Sequence, residues 1–308
     1  MDDVEVVVVD DDLAGARADT ALAGALGLPR SMVARLISRG RVTIEGKTIT
    51  KSMKVARGQK IRVELEPPDM GFETAGPLEI LYEDDDIVVV NKPVGMAAHT
   101  SPGWEGPTVL KSLTELGVKV SDHGPPERKG IVSRLDVGTS GGMVVAKSNR
   151  AYSALKQAFR DRDVFRRYHA LVEGHPDPMV GTIDAPIARH PSKQWKMAVV
   201  EGGREAITHY EVLELMPGAA LLDVELETGR THQIRVHMSA ANHPCLGDVF
   251  YGADPVRGEK LGLTRQWLHA RQIGFRHPGT GEMMTFTAPY PKDLEDSLEA
   301  MRGGLGLW

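Results

Sequence analysis

Apolar and polar positions along the chain fall into a few short, readable patterns. Met32, Val33, Leu36 and Ile37 recur at helical spacing, with Pro29 suited to the first turn and Gly40 to the left-handed stop behind it. Arg30, Arg35 and Arg39 project from that helix. Beyond it, Val42 and Ile44 alternate with Arg41 and Thr43, and Ile61, Val63 and Leu65 alternate with Arg62 and Glu64, which predicts strands around a Glu45–Gly46 turn. Glu45 stands where a turn needing φ > 0 favours Asn.

Residues 66–77 contain Pro67, Pro68, Gly71, Gly76 and Pro77, the composition of a linker. The pattern therefore divides the chain into an N-terminal segment 1–16, a helix-and-strand module 17–66, a linker 67–77 and a larger domain 78–308. In that domain, Glu79 to Tyr82 and Ile87 to Asn91 read as short strands flanking the run Glu83-Asp84-Asp85-Asp86, a solvated hairpin tip. Strands are expected at Ile131 to Asp136 and Met143 to Lys147. A helix from Asn149 to about Arg160 then places Tyr152, Leu155 and Phe159 on one face, and a strand follows at Phe165 to Glu173. Leu222, Val224 and Leu226 alternate with Asp223, Glu225 and Glu227, giving a half-buried strand. Antiparallel-looking strands with few helices predict an α+β fold and not a βαβ series.

Composition changes this picture in two respects. The 308 residues suit one large and one small domain, and 41% hydrophobic with 26% charged content favours neither disorder nor a membrane span. The net charge of −5 argues against a nucleic-acid partner only as an average. From Arg17 to Arg62 there are eleven Lys or Arg against two acids, a local charge of +9, whereas residues 1–16 carry six acids and no base. That split favours an RNA or DNA partner over a merely solvated basic face. Val6 to Val9, preceded by Asp2, Asp3 and Glu5, is too short and of the wrong charge for a signal peptide, so a cytoplasmic location is expected. Cys245 is the single cysteine, which excludes an intramolecular disulfide and a Cys-based zinc site built from this chain, and it reads as a small core residue.

Two segments concentrate polar chemistry. Gly130-Ile131-Val132-Ser133-Arg134-Leu135-Asp136-Val137-Gly138-Thr139-Ser140-Gly141-Gly142 sets one carboxylate after an apolar run and before a small-residue turn. Asp136 there reads as a cleft-facing acid or as a turn-forming side chain, and no phosphate-cradling GxxxxGK[ST] pattern is present. Thr228-Gly229-Arg230-Thr231-His232-Gln233-Ile234-Arg235-Val236-His237-Met238 reads as a helix N-terminus with a solvated face, and histidines five apart do not make a zinc pair on one helical face.

Together, Ser133 to Gly141 and Thr228 to His237 resemble the signature segments of the RluA/RluD family of pseudouridine synthases. Val164-Phe165-Arg166-Arg167-Tyr168, Asn91-Lys92-Pro93, Gly247-Asp248, Tyr251-Gly252, Leu268-His269-Ala270, Phe286 and Ala288-Pro289 fall in that family's order, so the resemblance spans about residues 78–293. Ser133 departs from it, standing where the family has His. Arg17-Ala18-Asp19, Pro29-Arg30-Ser31 and Gly40-Arg41-Val42-Thr43-Ile44-Glu45-Gly46 resemble the S4 RNA-binding domain. The resemblance implies an α+β catalytic domain with a mixed, mainly antiparallel sheet behind a small S4-like (αL) module.

It further implies isomerisation of uridine to pseudouridine in structured RNA, with large-subunit ribosomal RNA ranked ahead of transfer RNA. Asp136 is the implied nucleophile. Arg235 is implied as its ionic partner, keeping the carboxylate charged in a dry pocket. Tyr168 is implied to lie beside the target base, and since only about one phenol in a thousand is ionised at neutral pH, stacking and orientation suit it better than unaided proton removal. Arg134 is implied to fill the space left by the flipped nucleotide, which offsets part of an extrusion cost of a few kcal/mol. Arg30, Arg35, Arg39 and Arg41, with Lys193 and Lys196 of the segment Arg189 to Lys196, are the expected RNA contacts, although 189–196 also reads as a plain surface loop. No metal or cofactor is implied, and the expected partner is ribosomal RNA or an assembling ribosomal particle, bound by a monomer away from membranes. A non-catalytic RNA-binding factor and an Asp-based hydrolase are the rivals, the latter needing a second carboxylate or a metal beside the motif.

Overall fold

The computed structural model describes residues 3–26, 28, 30–65, 76–101, 104–193 and 196–304. They divide into two compact units, one drawn from residues 1–70 with 191–196 and the other from residues 71–190 and 197–308.

In the first unit, β1 (Asp3–Val8), α1 (Ala18–Leu26), α2 (Arg30–Ser38), β2 (Val42–Ile44), β3 (Lys47–Thr48) and β4 (Lys60–Leu65) follow one another, and the sheet runs β1-β4-β2-β3. Leu22 of α1, Val33, Leu36 and Ile37 of α2, and Val42, Ile61 and Val63 of the sheet are all buried, as their helical and alternating spacings require. The turn between β2 and β3 places both Glu45 (φ 51°) and Gly46 (φ 76°) in the left-handed region, so Glu45 adopts a conformation its side chain disfavours. Residues 1–16 are not set apart as the sequence suggested: Asp3–Val8 pairs antiparallel with Lys60–Leu65 along its whole length. Its outward row is Val4, Val6 and Val8, all exposed, so no polar-out alternation marks the strand. Pro29 and most of the expected linker, 67–75, lie outside the described residues.

The second unit contains β5 (Glu79–Glu83), β6 (Ile87–Lys92), α3 (Val109–Glu115), β7 (Ser140–Ala146), α4 (Asn149–Asp161), β8 (Phe165–Glu173), β9 (Val180–Asp184), β10 (Ile187–Arg189), β11 (Met197–Val199), β12 (Ile207–Met216), β13 (Ala219–Leu226), α5 (Gln233–Ala240), α6 (Pro255–Lys260), β14 (Leu268–Arg276), β15 (Met283–Thr287) and α7 (Lys292–Arg302). Its main sheet among the described residues runs β5-β6-β7-β14-β8-β13-β12-β9, with β15 on β14. Every pairing in it is antiparallel except β7 with β14. The fold is therefore α+β, with a mixed, mainly antiparallel sheet and a small N-terminal unit.

Both sheet faces carry a core, which explains the uninterrupted apolar run in β6. Val88 and Val90 face one cluster with Val109 and Leu113 of α3, while Ile87 and Val89 face another with Ala151 and Leu155 of α4. Likewise Leu222 and Val224 of β13 meet Ile234 and Met238 of α5, and Ala219 and Leu221 join Leu294, Leu298 and Met301 of α7.

Two local expectations need correction. Ile131 to Asp136 is not a strand: Ile131 makes one isolated bridge to Val145 and the rest is loop outside the sheet, because the main sheet pairs β7 with β6 and β14 instead. The acidic run at the β5–β6 hairpin is also more than a solvated tip. Asp84 Oδ1 accepts the backbone N–H groups of Asp86 and Ile87, and the buried Asp86 accepts from Ser148 and Arg150.

Candidate active site

A cleft of about 450 Å³ opens where the loop before β7, the middle of β8 and the N-terminus of α5 converge, and Asp136, Tyr168 and Arg235 all line it. Each arrives by a different local rule. Asp136 is delivered by the loop that feeds β7, whose register against β14 pairs Ser140 with His269 and Gly141 with Ala270. Only glycine fits at 141, where φ is +121° and a Cβ would sit 2.3 Å from the Ala270 carbonyl oxygen.

On β8, side chains alternate, so Arg166 and Tyr168 face the cleft while Arg167 and His169 face away toward Asp223 and Tyr290. Burial pushes the Tyr168 phenol above its ordinary pKa, with Arg166 opposing and the Asp136 carboxylate adding to the rise. Tyr168 therefore rests protonated at neutral pH.

Arg235 comes from α5, and the start of that helix is built by Gln233. Its amide oxygen accepts from Thr228 Oγ1 and the Arg230 N–H, while its nitrogen donates to Ile207 O and Thr208 Oγ1. Gly229 lies against Arg166, whose Nη1 would be 2.9 Å from a Cβ there. The expected solvated helix face is not found: Gln233 to Met238 are all buried. His237 is held by Thr208 Oγ1 and Ala185 O, and burial lowers its pKa, which fixes it as a neutral core histidine.

Arg235 Nη1 lies 3.7 Å from Asp136 Oδ2, a looser contact than its fork onto Asp248, at 2.7 and 3.0 Å. Arg235 and Asp248 are each 1% exposed, and the guanidinium also sits 4.8 Å above the Tyr251 ring. Asp248 thus fixes the guanidinium, and Arg235 presents its remaining charge to Asp136. His232 Nε2 stands 4.0 Å from the same Asp136 oxygen, its Nδ1 2.7 Å from the Tyr251 hydroxyl, on a backbone in the left-handed region (φ 57°). Nothing in the sequence alone beyond their place in the motif segments marks Asp248, Tyr251 and His232 as site residues, and the pairing itself needs the fold.

Six arginines line the cleft: Arg134, Arg160, Arg162, Arg166, Arg230 and Arg235, against the carboxylates of Asp136 and Glu227. Arg134 is exposed at the rim, and no ion pair joins it to another described residue. Arg166 donates to the Leu226 and Glu227 carbonyls, and burial lowers its pKa. Arg162 bridges Glu205 and Glu227. Ser133 lines the cleft beside Arg134.

The other expected RNA contacts belong to the first unit or to the loop before β11. Arg30 has its fork on the buried Asp19, shared with Arg17, and these partners hold the Asp19 carboxyl well below the usual range. Arg41 pairs with Glu64 at 3.2 Å. The Arg35 side chain lies outside the described residues, while Arg39, Lys193 and Lys196 are described and engaged in interactions. Among the described residues no His, Cys, Asp or Glu cluster could hold a metal ion.

The chain as a whole is similar to known proteins. A family model described as RNA pseudouridylate synthase matches residues 86–240. A Mycobacterium bovis protein named as an uncharacterized RNA pseudouridine synthase is 54% identical over 299 residues, covering 96% of this chain and 97% of that protein. The ribosomal large subunit pseudouridine synthase D of Nitrosomonas europaea is 40% identical, covering 96% of this chain and 87% of that one. Among solved structures, human RNA pseudouridylate synthase domain containing 4 matches with a TM-score of 0.58 at 29% identity, over 73% of this chain and 93% of that one.

Proposed function

This chain belongs to the RNA pseudouridylate synthase family, and from that premise we propose that it isomerises uridines of large-subunit ribosomal RNA with Asp136 as the nucleophile. The observation that carries the reading is the carboxylate of Asp136, 14% exposed, set 3.7 Å from a buried guanidinium in a cleft lined by six arginines and Tyr168.

The reaction breaks the bond from N1 to C1′ of uridine, joins C1′ to C5, releases the C5 proton and returns one to N1. No group is transferred to water and no electron changes hands. Arg235 faces the Asp136 carboxylate at 3.7 Å and orients it, while Asp248 holds the guanidinium in place through its two-point fork. Tyr168, protonated at rest, orients the base by stacking and by its hydroxyl. Arg134 enters the gap left by the extruded nucleotide, and Arg160 and Arg230 neutralise the flanking phosphates. Arg30, Arg35, Arg39 and Arg41 of the basic module, with Lys193 and Lys196, add sequence-independent docking.

The large-subunit substrate is supported by relatives at 38–40% identity that carry the name ribosomal large subunit pseudouridine synthase D. The substrate is tested by carbodiimide mapping of pseudouridine in ribosomal RNA from cells lacking this protein. Loss of one or more large-subunit sites, restored by the wild-type chain, is expected. Unchanged ribosomal RNA with lost transfer-RNA sites would overturn the substrate assignment.

A further inference from the structure

The four residues after Asp136 are each held from behind by a buried polar group. The Val137 carbonyl accepts from the Gly95 N–H at 2.9 Å and from Nζ of the fully buried Lys92 at 3.5 Å. The Gly138 carbonyl accepts from Arg265 Nη1 at 3.1 Å, and Thr139 Oγ1 faces Gln266 Nε2 at 3.2 Å. Ser140 Oγ accepts from Arg265 Nη2 at 3.3 Å and lies 2.9 Å from His269 Nδ1. His269 Nε2 faces the Ala288 carbonyl, which can only accept, so Nε2 carries the ring proton and Nδ1 takes the Ser140 hydroxyl proton. Burial, with Arg265 and Arg271 nearby, pushes the His269 pKa down to about 3, consistent with that neutral ring.

Arg265 is the hub of this clamp. Its side chain is 1% exposed and forks onto both oxygens of Asp293, at 2.7 and 3.1 Å, in the first turn of α7. The helix is anchored independently by Leu294, Leu298 and Met301 in the core and by Trp267 Nε1 on Ser297 Oγ. The Asp293 carboxylate therefore adds little to holding α7 in place, but it sets the angle of the guanidinium, whose Nη1 reaches Gly138 and whose Nη2, shared with Asp293, reaches Ser140.

We propose that Arg265, oriented by Asp293, is a positioning residue that fixes the Asp136 loop from the C-terminal helix. The inference rests on the reading of Asp136 as nucleophile. A rigid guanidinium fork can satisfy Asp293, Gly138 and Ser140 at once, whereas a single ammonium nitrogen cannot reach all three positions, so its loss frees the loop at Gly138 and Ser140.

The test is single-turnover tritium release, using the full chain and RNA labelled with tritium at uridine C5, isolated from cells lacking this protein. Asp293→Asn and Arg265→Lys are compared with wild type and with Asp136→Asn. The expected result is a rate at saturating enzyme that falls on the order of ten-fold for Asp293→Asn and hundred-fold for Arg265→Lys, with half-saturation within about two-fold of wild type. Amide hydrogen exchange across residues 137–141 should speed up in both. A lower melting temperature with a wild-type rate in Asp293→Asn, which keeps the side-chain volume, would overturn the proposal even if Arg265→Lys fails to fold. Turnover by Asp136→Asn would instead remove the nucleophile assignment and leave the clamp standing as structure only.

Discussion

The paired arginines of the N-terminal unit and the two buried arginine pairs of the catalytic unit obey different physics. In the first, Arg30 on Asp19, Arg41 on Glu64 and Arg57 on Asp11 remain 56%, 34% and 73% exposed, so their charge stays accessible to a polyanion. In the second, Arg235 on Asp248 and Arg265 on Asp293 are each 1% exposed, and every nitrogen matters for geometry. One set is suited to attraction at a distance and the other to fixing atoms in place. Removing a member should then produce different kinds of loss.

The largest loss should follow Asp248→Ala, which leaves the Arg235 guanidinium buried and uncompensated. Unfolding by urea is expected to show about 3–5 kcal/mol of destabilisation, with turnover of the folded fraction collapsing as well. A change below about 1 kcal/mol would place that pair with the exposed ones. At the other extreme, Lys47, Lys51 and Lys54 are exposed on the basic module. Replacing all three with Gln should leave stability and the saturated rate unchanged while flattening the salt dependence of RNA binding, by about 0.7 in slope for each phosphate no longer neutralised. An unchanged slope would deny the basic module its docking role.

The same contrast explains what could be read from the sequence. Periodicity located β8 at Phe165 to Glu173, and the motif segments identified Asp136, Tyr168 and Arg235, which the fold brings to one cleft. Legible features were local: helical spacing in α4, alternation in β13, a basic run. What stayed hidden depends on pairing between distant positions. Asp248 meets Arg235 and Asp293 meets Arg265 only after the sheet and helices have assembled, and no spacing rule announces either pair. Arg30 looked like a free basic contact because Asp19, eleven residues earlier, is folded back onto it. Ile131 to Asp136 reads as a strand because a partly apolar loop can have the same composition as one, and only the absence of a continuous partner distinguishes them. The strand Asp3–Val8 escaped for the opposite reason, since its outward row is apolar.

All of these assignments converge on one carboxylate. The most direct test is tritium release from C5-labelled RNA by Asp136→Asn under single-turnover conditions, alongside its RNA affinity. The account predicts wild-type affinity and a rate reduced by more than about 10⁴-fold, because the covalent route is lost while the arginine-lined cleft remains. Substantial tritium release by that variant, at undiminished RNA binding, would contradict it.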